Sequence, residues 1–222
     1  LVMISIADCT RLSARDFKNS TDDSSAISKP VLVEVRRIWD QARHNAFTDL
    51  LRYKGRWYCV FREGSAHVSP DGALRVIVSD DGETWESKAL ITSPKYDLRD
   101  AKLTVTPDGR LMLNGAGMIA DAKVRYYSMV WFSSDNGQTW TKGKQIGDPG
   151  FWLWRSQWHD GMAYSMGYET NRDRTQRRLR LYRSKDGARF DTLIDQLSAP
   201  AGCGEDTILF MKDQSALCLL RH

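Results

Sequence analysis

The chain of 222 residues has no run of eighteen apolar residues, and its uncharged stretches are no longer than a β-strand. A membrane-spanning helix needs about twenty such residues, so we exclude one. The chain also has no block of lysine and arginine and no aromatic RNA-binding motif, and its net charge is only +4. We therefore do not expect nucleic acid as a partner.

Cysteine is scarce, and the four cysteines lack the C-x-x-C spacing of zinc sites and the density of a disulfide scaffold. Cys59 and Cys218 lie in strand-like apolar runs, where we expect buried free thiols. We expect neither a metal nor a cofactor. The opening residues, LVMISIADC, do not start with methionine and lack the apolar core of a signal peptide, so the sequence leaves open whether a signal was removed.

The pattern changes near Pro30. Residues 1–29 are polar, rich in Ser and Asp and without a sustained period, which predicts a loosely ordered leader. From Val31 onward, short runs of aromatic and β-branched residues are bounded by Gly, Asp, Asn or Pro. This pattern predicts an all-β domain over residues 30–222.

Two series of turn signals alternate along this domain. Candidate two-residue hairpins at Lys54-Gly55, Asp108-Gly109, Asp160-Gly161 and Asp213-Gln214 recur every 52 to 54 residues. A second series, SDDGETW, SSDNGQTW and SKDGARF, lies between them. Two interleaved turns in each repeat of about 50 residues indicate four strands per unit.

Such units are typical of β-propeller blades, because one small sheet cannot cover both of its faces and must stack on its neighbours. We predict blades over about 31–92, 95–147 and 152–197, and an incomplete fourth over 202–222. Three and a half blades do not close a ring, so we expect the missing blades to come from the rest of the chain or from a second copy. A sandwich or an open array of sheets would leave long unpaired edges.

The second turn series has a structural explanation. In the segment from Ser134 to Trp140, Asp135 can accept backbone N–H bonds across the turn, Gly137 supplies a positive φ, and the tryptophan packs beneath. The segment from Ser79 to Trp85 repeats this pattern. We read SKDGARF as a degenerate copy, with Lys185 in the place of the aspartate and Phe190 in that of the tryptophan.

These segments resemble the Asp-box, or BNR, repeat of the sialidase superfamily, whose members are mostly six-bladed propellers. The resemblance implies a glycoside hydrolase acting on acidic, sialic-acid-type glycans and an extracellular or periplasmic location. It does not by itself identify catalytic residues, because Asp-boxes lie away from the active centre.

A propeller usually binds its substrate at one mouth of the central channel, where the first strand of each blade begins and the second strand ends. The residues that we predict to bind substrate there are His44, Arg62, Arg99, Asp100, Trp154, Arg155, Tyr168 and Arg221. A solvated polar rim would place the same residue types at these positions, so that alternative stays open.

The resemblance gives two residues specific roles. The segment Gly202-Cys203-Gly204-Glu205, followed by a strand, a hairpin and Arg221, looks like the fourth blade of sialidases. This implies that Glu205 is the activating carboxylate and that Arg221 binds the substrate carboxylate, for which a guanidinium fork is well suited. A surface salt bridge is the alternative.

The sequence also departs from the family. No arginine stands in the stretch from His44 to Thr48, where sialidases carry the first of three, and the tyrosine nucleophile belongs to later blades. In the loop where the family has its acid/base aspartate, His67 or Asp71 could serve. We choose His67 as the catalytic residue, because Asp71-Gly72 also reads as a plain turn.

Two other functions remain open. His44, His67 and Tyr168, with Arg180 or Arg183, resemble the residues of propeller polysaccharide lyases that act on uronate glycans; the paired histidines could instead bind a metal. A non-catalytic glycan-binding propeller is the third possibility. It would use Trp152, Trp154 or Trp158 as platforms for sugar rings, although core packing also explains these residues.

Overall fold

The structure is a computed structural model that describes residues 2–5, 32, 34–199 and 202–222, with the backbone alone for 2–5. Within the segment predicted as a leader, Val2–Ser5 forms the strand β1. The rest of that leader, including Cys9, lies outside the described residues. Cys59, Cys203 and Cys218 are free and buried, which confirms the expectation for the first and the last.

In the described part of the chain, fifteen strands form four antiparallel sheets. The first sheet contains β2 (His44–Tyr53), β3 (Arg56–Gly64), β4 (Ala73–Ser79) and β5 (Glu86–Ile91). The second contains β6 (Asp97–Val105), β7 (Leu111–Met118), β8 (Tyr126–Ser133) and β9 (Lys144–Ile146). The third contains β10 (Phe151–His159), β11 (Met162–Glu169), β12 (Leu179–Ser184) and β13 (Asp191–Ile194). In the fourth, β14 (Asp206–Phe210) pairs with β15 (Ser215–Leu220), and β15 pairs with β1.

Hairpins form at all four predicted places, but those at 107–109 and 212–214 are three-residue loops rather than the predicted two-residue turns. In the β2–β3 turn, Lys54 and Gly55 have φ of 48° and 79°, and the pair Tyr53 and Arg56 closes the ladder. Asp160 and Gly161 repeat this between β10 and β11, with φ of 46° and 74°. Two left-handed residues match the twist of the flanking strands, which explains the Gly at the second position.

The sheets stack face to face around a common axis. The first strand of each sheet contacts the first strand of the next, from β2 to β6, β10 and β14. Val60 and Val76 of the first sheet pack on Leu103 and Leu113 of the second. Similar apolar layers fill the two other interfaces. This arrangement confirms the predicted all-β propeller of four-stranded blades.

The second turn series closes the last hairpin of each complete sheet. In the first sheet, Asp81 accepts the N–H groups of Glu83 and Thr84 at 2.8 Å each, and the Trp85 indole donates to the carbonyl of Gly82 at 3.1 Å. In the second sheet, Asp135 and Trp140 make the equivalent bonds. The backbone donors, and at Asp135 the Thr139 hydroxyl as well, lower the pKa of both aspartates to about 2.

The third turn corrects the sequence alignment. Asp186 accepts the N–H groups of Ala188 and Arg189 at 2.8 Å, as Asp81 does in the first turn. The prediction that Lys185 replaces the aspartate was wrong, because Lys185 stands one residue earlier. This turn therefore keeps its aspartate, and only the tryptophan is replaced, by Phe190.

Candidate functional site

The first strands of the three complete sheets share an irregularity at the same level of the channel. The register shifts between Ala46 and Asp49 in β2, between Arg99 and Lys102 in β6, and between Leu153 and Ser156 in β10. The backbone is left-handed at Phe47 (φ 64°) and at Asp100 (φ 49°). Bulges of this kind redirect a side chain out of the ladder.

Asp100 is a carboxyl group with an unusual environment. It is buried, and burial raises its pKa above the ordinary value. The positive charges of Lys102, Arg99 and His67 oppose this shift, while the carboxylate of Glu205 adds to it. The bulge therefore places a buried carboxyl group with a raised pKa close to a second carboxylate.

Tyr168 and Arg221 adjoin the same pair of carboxyl groups. Burial raises the pKa of the Tyr168 phenol, and the charges of Glu205 and Asp100 raise it further. Arg221 forms a direct ion pair with Glu205 across the end of the fourth sheet. Both partners of this pair are partly exposed, so the pair is open to a ligand.

A cleft of about 210 Å³ lies over this pair, between the third and fourth sheets. Its charged and aromatic lining residues are Tyr168, Arg174, Arg177, Glu205 and Arg221. Arg174 and Arg177 were not among the residues predicted from the sequence. The signal for them was the arginine-rich segment 172–178, which directly follows β11.

His67 lies on the loop after β3, on the side of the first sheet. Arg99 donates to the His67 carbonyl at 2.9 Å and thereby ties this loop to β6. The His67 ring lies 5.5 Å from that of His44 and 5.3 Å from that of Phe47, centre to centre. Burial lowers the pKa of His44, assisted by the charge of Arg62, so His44 is neutral at pH 7.

Arg62 does not reach the channel, so the prediction that it binds substrate was wrong. Its side chain is fully buried, and its donors go to Asp97 (2.8 and 3.0 Å), to the Ala66 carbonyl (2.7 Å) and to Ser69. Arg62 thus holds the loop that carries His67. In the same loop Asp71 accepts the Ser65 N–H, which confirms the reading as a turn.

The channel wall below this level is also charged. Asp49 accepts the Leu103 N–H at 2.8 Å and forms an ion pair with Arg155. Arg155 therefore lies in the channel but is already paired. The Lys102 ammonium lies 4.6 Å from the centre of the Trp154 ring. Trp154 and Arg155, which the sequence predicted, therefore lie in the same part of the channel wall as Lys102 and Asp49, which it did not.

The residues proposed for the lyase and for the glycan-binding alternative do not form one site. Arg180 is paired with Asp148 and Asp195 and lies over the Phe151 ring, so it belongs to the side of the third sheet. Trp152 is buried and stacks between Tyr126 and Tyr168, with ring centres 5.0 and 6.0 Å away. Trp158 packs in the core between the second and third sheets. Trp154 and Trp158 are both half-buried, but Trp154 does not belong to that core.

The described residues offer neither a metal site nor a membrane-spanning helix. In these ranges no group of three or more His, Cys, Asp or Glu side chains is placed to hold a metal ion. Within the same ranges, no helix has the length and apolar character needed to cross a bilayer.

Comparison with known proteins shows the fold and one distant relative. No family model matches the chain. Over 111 residues it is 32% identical to a sialidase from Paraclostridium sordellii, a match that covers 43% of this chain and 26% of that sialidase. The structure superposes on an α-L-arabinanase from Penicillium chrysogenum, solved with arabinobiose, with a TM-score of 0.64, 14% identity and coverage of 79% of this chain and 57% of that one.

An α-L-arabinofuranosidase of family GH93 from Fusarium graminearum gives a TM-score of 0.63 at 15% identity, covering 79% of this chain and 56% of that one. The chain thus spans about a quarter of the sialidase and little more than half of each of these enzymes. It has the β-propeller fold found in glycoside hydrolases, and the predicted resemblance to sialidases is confirmed over this segment.

Proposed function

We propose that the protein is a glycoside hydrolase that cleaves acidic, sialic-acid-type glycans at the mouth of the propeller channel, outside the cytoplasm. The observation that carries this proposal is the proximity of two carboxyl groups in different environments, one buried and one partly exposed. Asp100 has a raised pKa, and Glu205, which contributes to that shift, is exposed to the cleft. Glycoside hydrolysis generally uses one carboxyl group as an acid and a second as a base or nucleophile.

In this mechanism Asp100 donates its proton to the glycosidic oxygen as the bond to the anomeric carbon breaks. Glu205 accepts a proton from the attacking water, whose oxygen then bonds to the anomeric carbon. Burial suits Asp100 for the first role, because a proton donor must retain its proton at the working pH. Tyr168, with its raised pKa, stays protonated and can donate a hydrogen bond to the sugar.

Arg221 supports the choice of an acidic substrate. Its guanidinium is exposed at the cleft and can form a two-point contact with a planar carboxylate. The loop of the first sheet that carries His67 fits the same site, since the charge of His67 acts on the pKa of Asp100. The role of His67 as an acid/base remains a prediction that the variant His67→Ala tests through the pH–rate profile.

The adjacent histidine rings favour one second candidate, a lyase acting on uronate glycans. His44 is neutral, and its buried Nδ1 has no hydrogen-bond partner among the described residues, so it could abstract a proton. Arg180 is paired elsewhere, so the carboxylate of the uronate would have to be bound by Arg99 or Arg221.

Variants of the two carboxyl groups test the proposal. The full-length protein, Asp100→Asn and Glu205→Gln are assayed with sialosides, arabinosides and uronate polysaccharides, following released sugar and the ultraviolet absorbance of unsaturated products. We expect hydrolysis of an acidic glycoside that falls at least about a hundredfold in each variant. Asp160→Asn, at an exposed hairpin, is the matched control. Unchanged turnover in both variants would refute the proposal, and unsaturated products would establish the lyase.

A further inference from the structure

The loop that follows β11 carries an unbalanced positive charge. Of its four arginines, Arg172 and Arg178 each pair with the carboxylate of Glu169 at 3.0 Å. Arg174 and Arg177 make no ion pair with any residue that the structure describes. These two unpaired arginines are the ones that line the cleft.

The two guanidinium groups are held in place, although no carboxylate holds them. Arg174 donates through Nε to the Gly202 carbonyl at 3.2 Å, and the Arg177 guanidinium lies 5.4 Å from the centre of the Tyr168 ring. Asp173 accepts the Thr175 N–H at 2.9 Å and thereby fixes the short 3-10 turn Arg174–Gln176 between them. Their remaining donors are available to a ligand.

Arg177 provides a second, independent indication of a missing partner. Its Nε is buried, yet it has no hydrogen-bond acceptor among the residues that the structure describes. A buried N–H of a charged group without an acceptor is costly, so a bound acceptor is expected at such a position. In the cleft, that acceptor would be a group of the ligand.

The charge balance of the cleft determines which ligand fits. Arg221 and Glu205 neutralise each other, and the exposed Asp173 opposes only one of the charges of Arg174 and Arg177, so the described residues around the cleft keep a surplus of positive charge. An anionic group with several oxygen atoms would satisfy both the charge and the free donors. Arg174 is exposed at the outer rim of the cleft, whereas Asp100 is buried, so the bound anion would lie outward of the bond that is cleaved.

We propose that Arg174 and Arg177 form a subsite for an anionic group, a carboxylate or a sulfate. This group would belong to the sugar unit adjacent to the one whose glycosidic bond is cleaved. The substrate is then a polyanionic glycan rather than a chain with a single acidic sugar at its end. The position of this subsite relative to the cleaved bond rests on the proposed function, but anion binding by the two arginines does not.

Binding measurements on single variants test this proposal. Calorimetry on the full-length protein, in the Asp100→Asn background to prevent turnover, compares Arg174→Gln and Arg177→Gln with Arg172→Gln, which removes the same charge from the same loop. The probes are an oligogalacturonate, its neutral methyl ester and a sulfated galactan oligosaccharide. The first and third probes distinguish a carboxylate from a sulfate.

We expect the affinity for one anionic probe to fall about tenfold in Arg177→Gln and at least about threefold in Arg174→Gln, since each loses charge-assisted hydrogen bonds. Arg172→Gln should stay within about twofold, and the methyl ester should bind weakly to all variants. Equal losses in all three variants would show general charge attraction and overturn the proposal, as would unchanged affinity. Thermal midpoints of the variants check that each one folds.

The result is separable from that of the proposed function. If no glycoside is hydrolysed but anion binding still depends on Arg177, the subsite stands and the hydrolase proposal fails. If acidic glycosides are hydrolysed and Arg177→Gln changes neither binding nor KM, the hydrolase proposal stands and the subsite is refuted.

Discussion

Asp49 on the first sheet and Arg155 on the third form an ion pair across the channel. The same carboxylate accepts the Leu103 N–H of the second sheet at 2.8 Å. One side chain thus joins three sheets at the level of their bulges, directly below the candidate site.

We predict that Asp49→Asn lowers the free energy of unfolding by roughly 2 kcal/mol, because the largely buried pair loses its charge and leaves Arg155 without a partner. Urea unfolding measures this loss. Glu86→Gln, which weakens the exposed pair with Arg56, should change stability by less than about 0.5 kcal/mol. An equal effect of the two variants would show that the channel pair does not join the sheets.

Asp206, at the start of β14, is an aspartate whose replacement by asparagine should raise stability, whereas Asp49→Asn should lower it. It is fully buried, neither of its carboxyl oxygens has a hydrogen-bond partner within the described ranges, and burial raises its pKa well above the ordinary value. The folded state therefore binds the proton more tightly than the unfolded state, and stability is lost as the pH rises through the folded-state pKa.

We expect Asp206→Asn to remain uncharged and to be more stable than the parent protein at alkaline pH, with little difference at acidic pH. Thermal midpoints measured across the pH range provide the test. A parent protein whose stability does not fall with rising pH relative to the variant would contradict the assignment.

The aspartate turns should contribute to the loss of stability in acid. Backbone N–H donors, joined at Asp135 by the Thr139 hydroxyl, lower the pKa of Asp81 and Asp135 to about 2, so the stability that they contribute is present above the unfolded-state value near 3.8 and is lost as the pH falls toward 2. We predict that Asp135→Ala lowers the thermal midpoint by several degrees at neutral pH and by less near pH 2. A loss that is independent of pH would contradict this explanation.

Gly115 in β7 supports the bulge that carries Asp100. A Cβ at this position would lie 2.8 Å from the Arg99 carbonyl oxygen, which is backbone and cannot rotate away. We predict that Gly115→Ala displaces the bulge and lowers kcat at least about tenfold, since a displacement of about 1 Å is enough to disturb catalytic geometry. Gly109→Ala, in a turn with open space around it, should reduce stability through its positive φ but leave kcat unchanged.

The raised pKa of Asp100 predicts the alkaline limb of the activity profile. A proton donor acts only while protonated, so kcat/KM should fall as the pH rises through a value above the ordinary aspartate pKa. Removing the positive charge of Lys102, which lowers the pKa of Asp100, should shift this limb to higher pH. Rates of Lys102→Met measured against pH, with Lys54→Met at an exposed turn as control, provide the test.

The fold could be predicted because its signals are local. A two-residue hairpin such as Lys54-Gly55 needs left-handed residues at fixed positions, and the aspartate turns need an aspartate near a glycine, so both series can be found in the sequence. Lys185 was misplaced by one residue, and the hydrogen bonds of Asp186 show the correct register.

The site could be predicted only in part. His67, Asp100, Tyr168 and Glu205 come together because strand ends meet at the channel mouth. Arg62 stands at a similar strand end, but its burial depends on Asp97, which lies 35 residues away. Arg174 and Arg177 belong to a loop whose path no repeat defines, so their place in the cleft required the tertiary structure.

The repeated bulge has a consequence for how such proteins diversify. Phe47, Asp100 and Trp154 each directly follow the last regular pair before the shift in their strand, so a phenyl ring, a carboxyl group and an indole occupy corresponding places. Because these residues lie outside the regular pairing, exchanging them alters the chemistry of the channel while the surrounding ladder is retained. These bulge positions are therefore suitable sites for laboratory redesign of specificity.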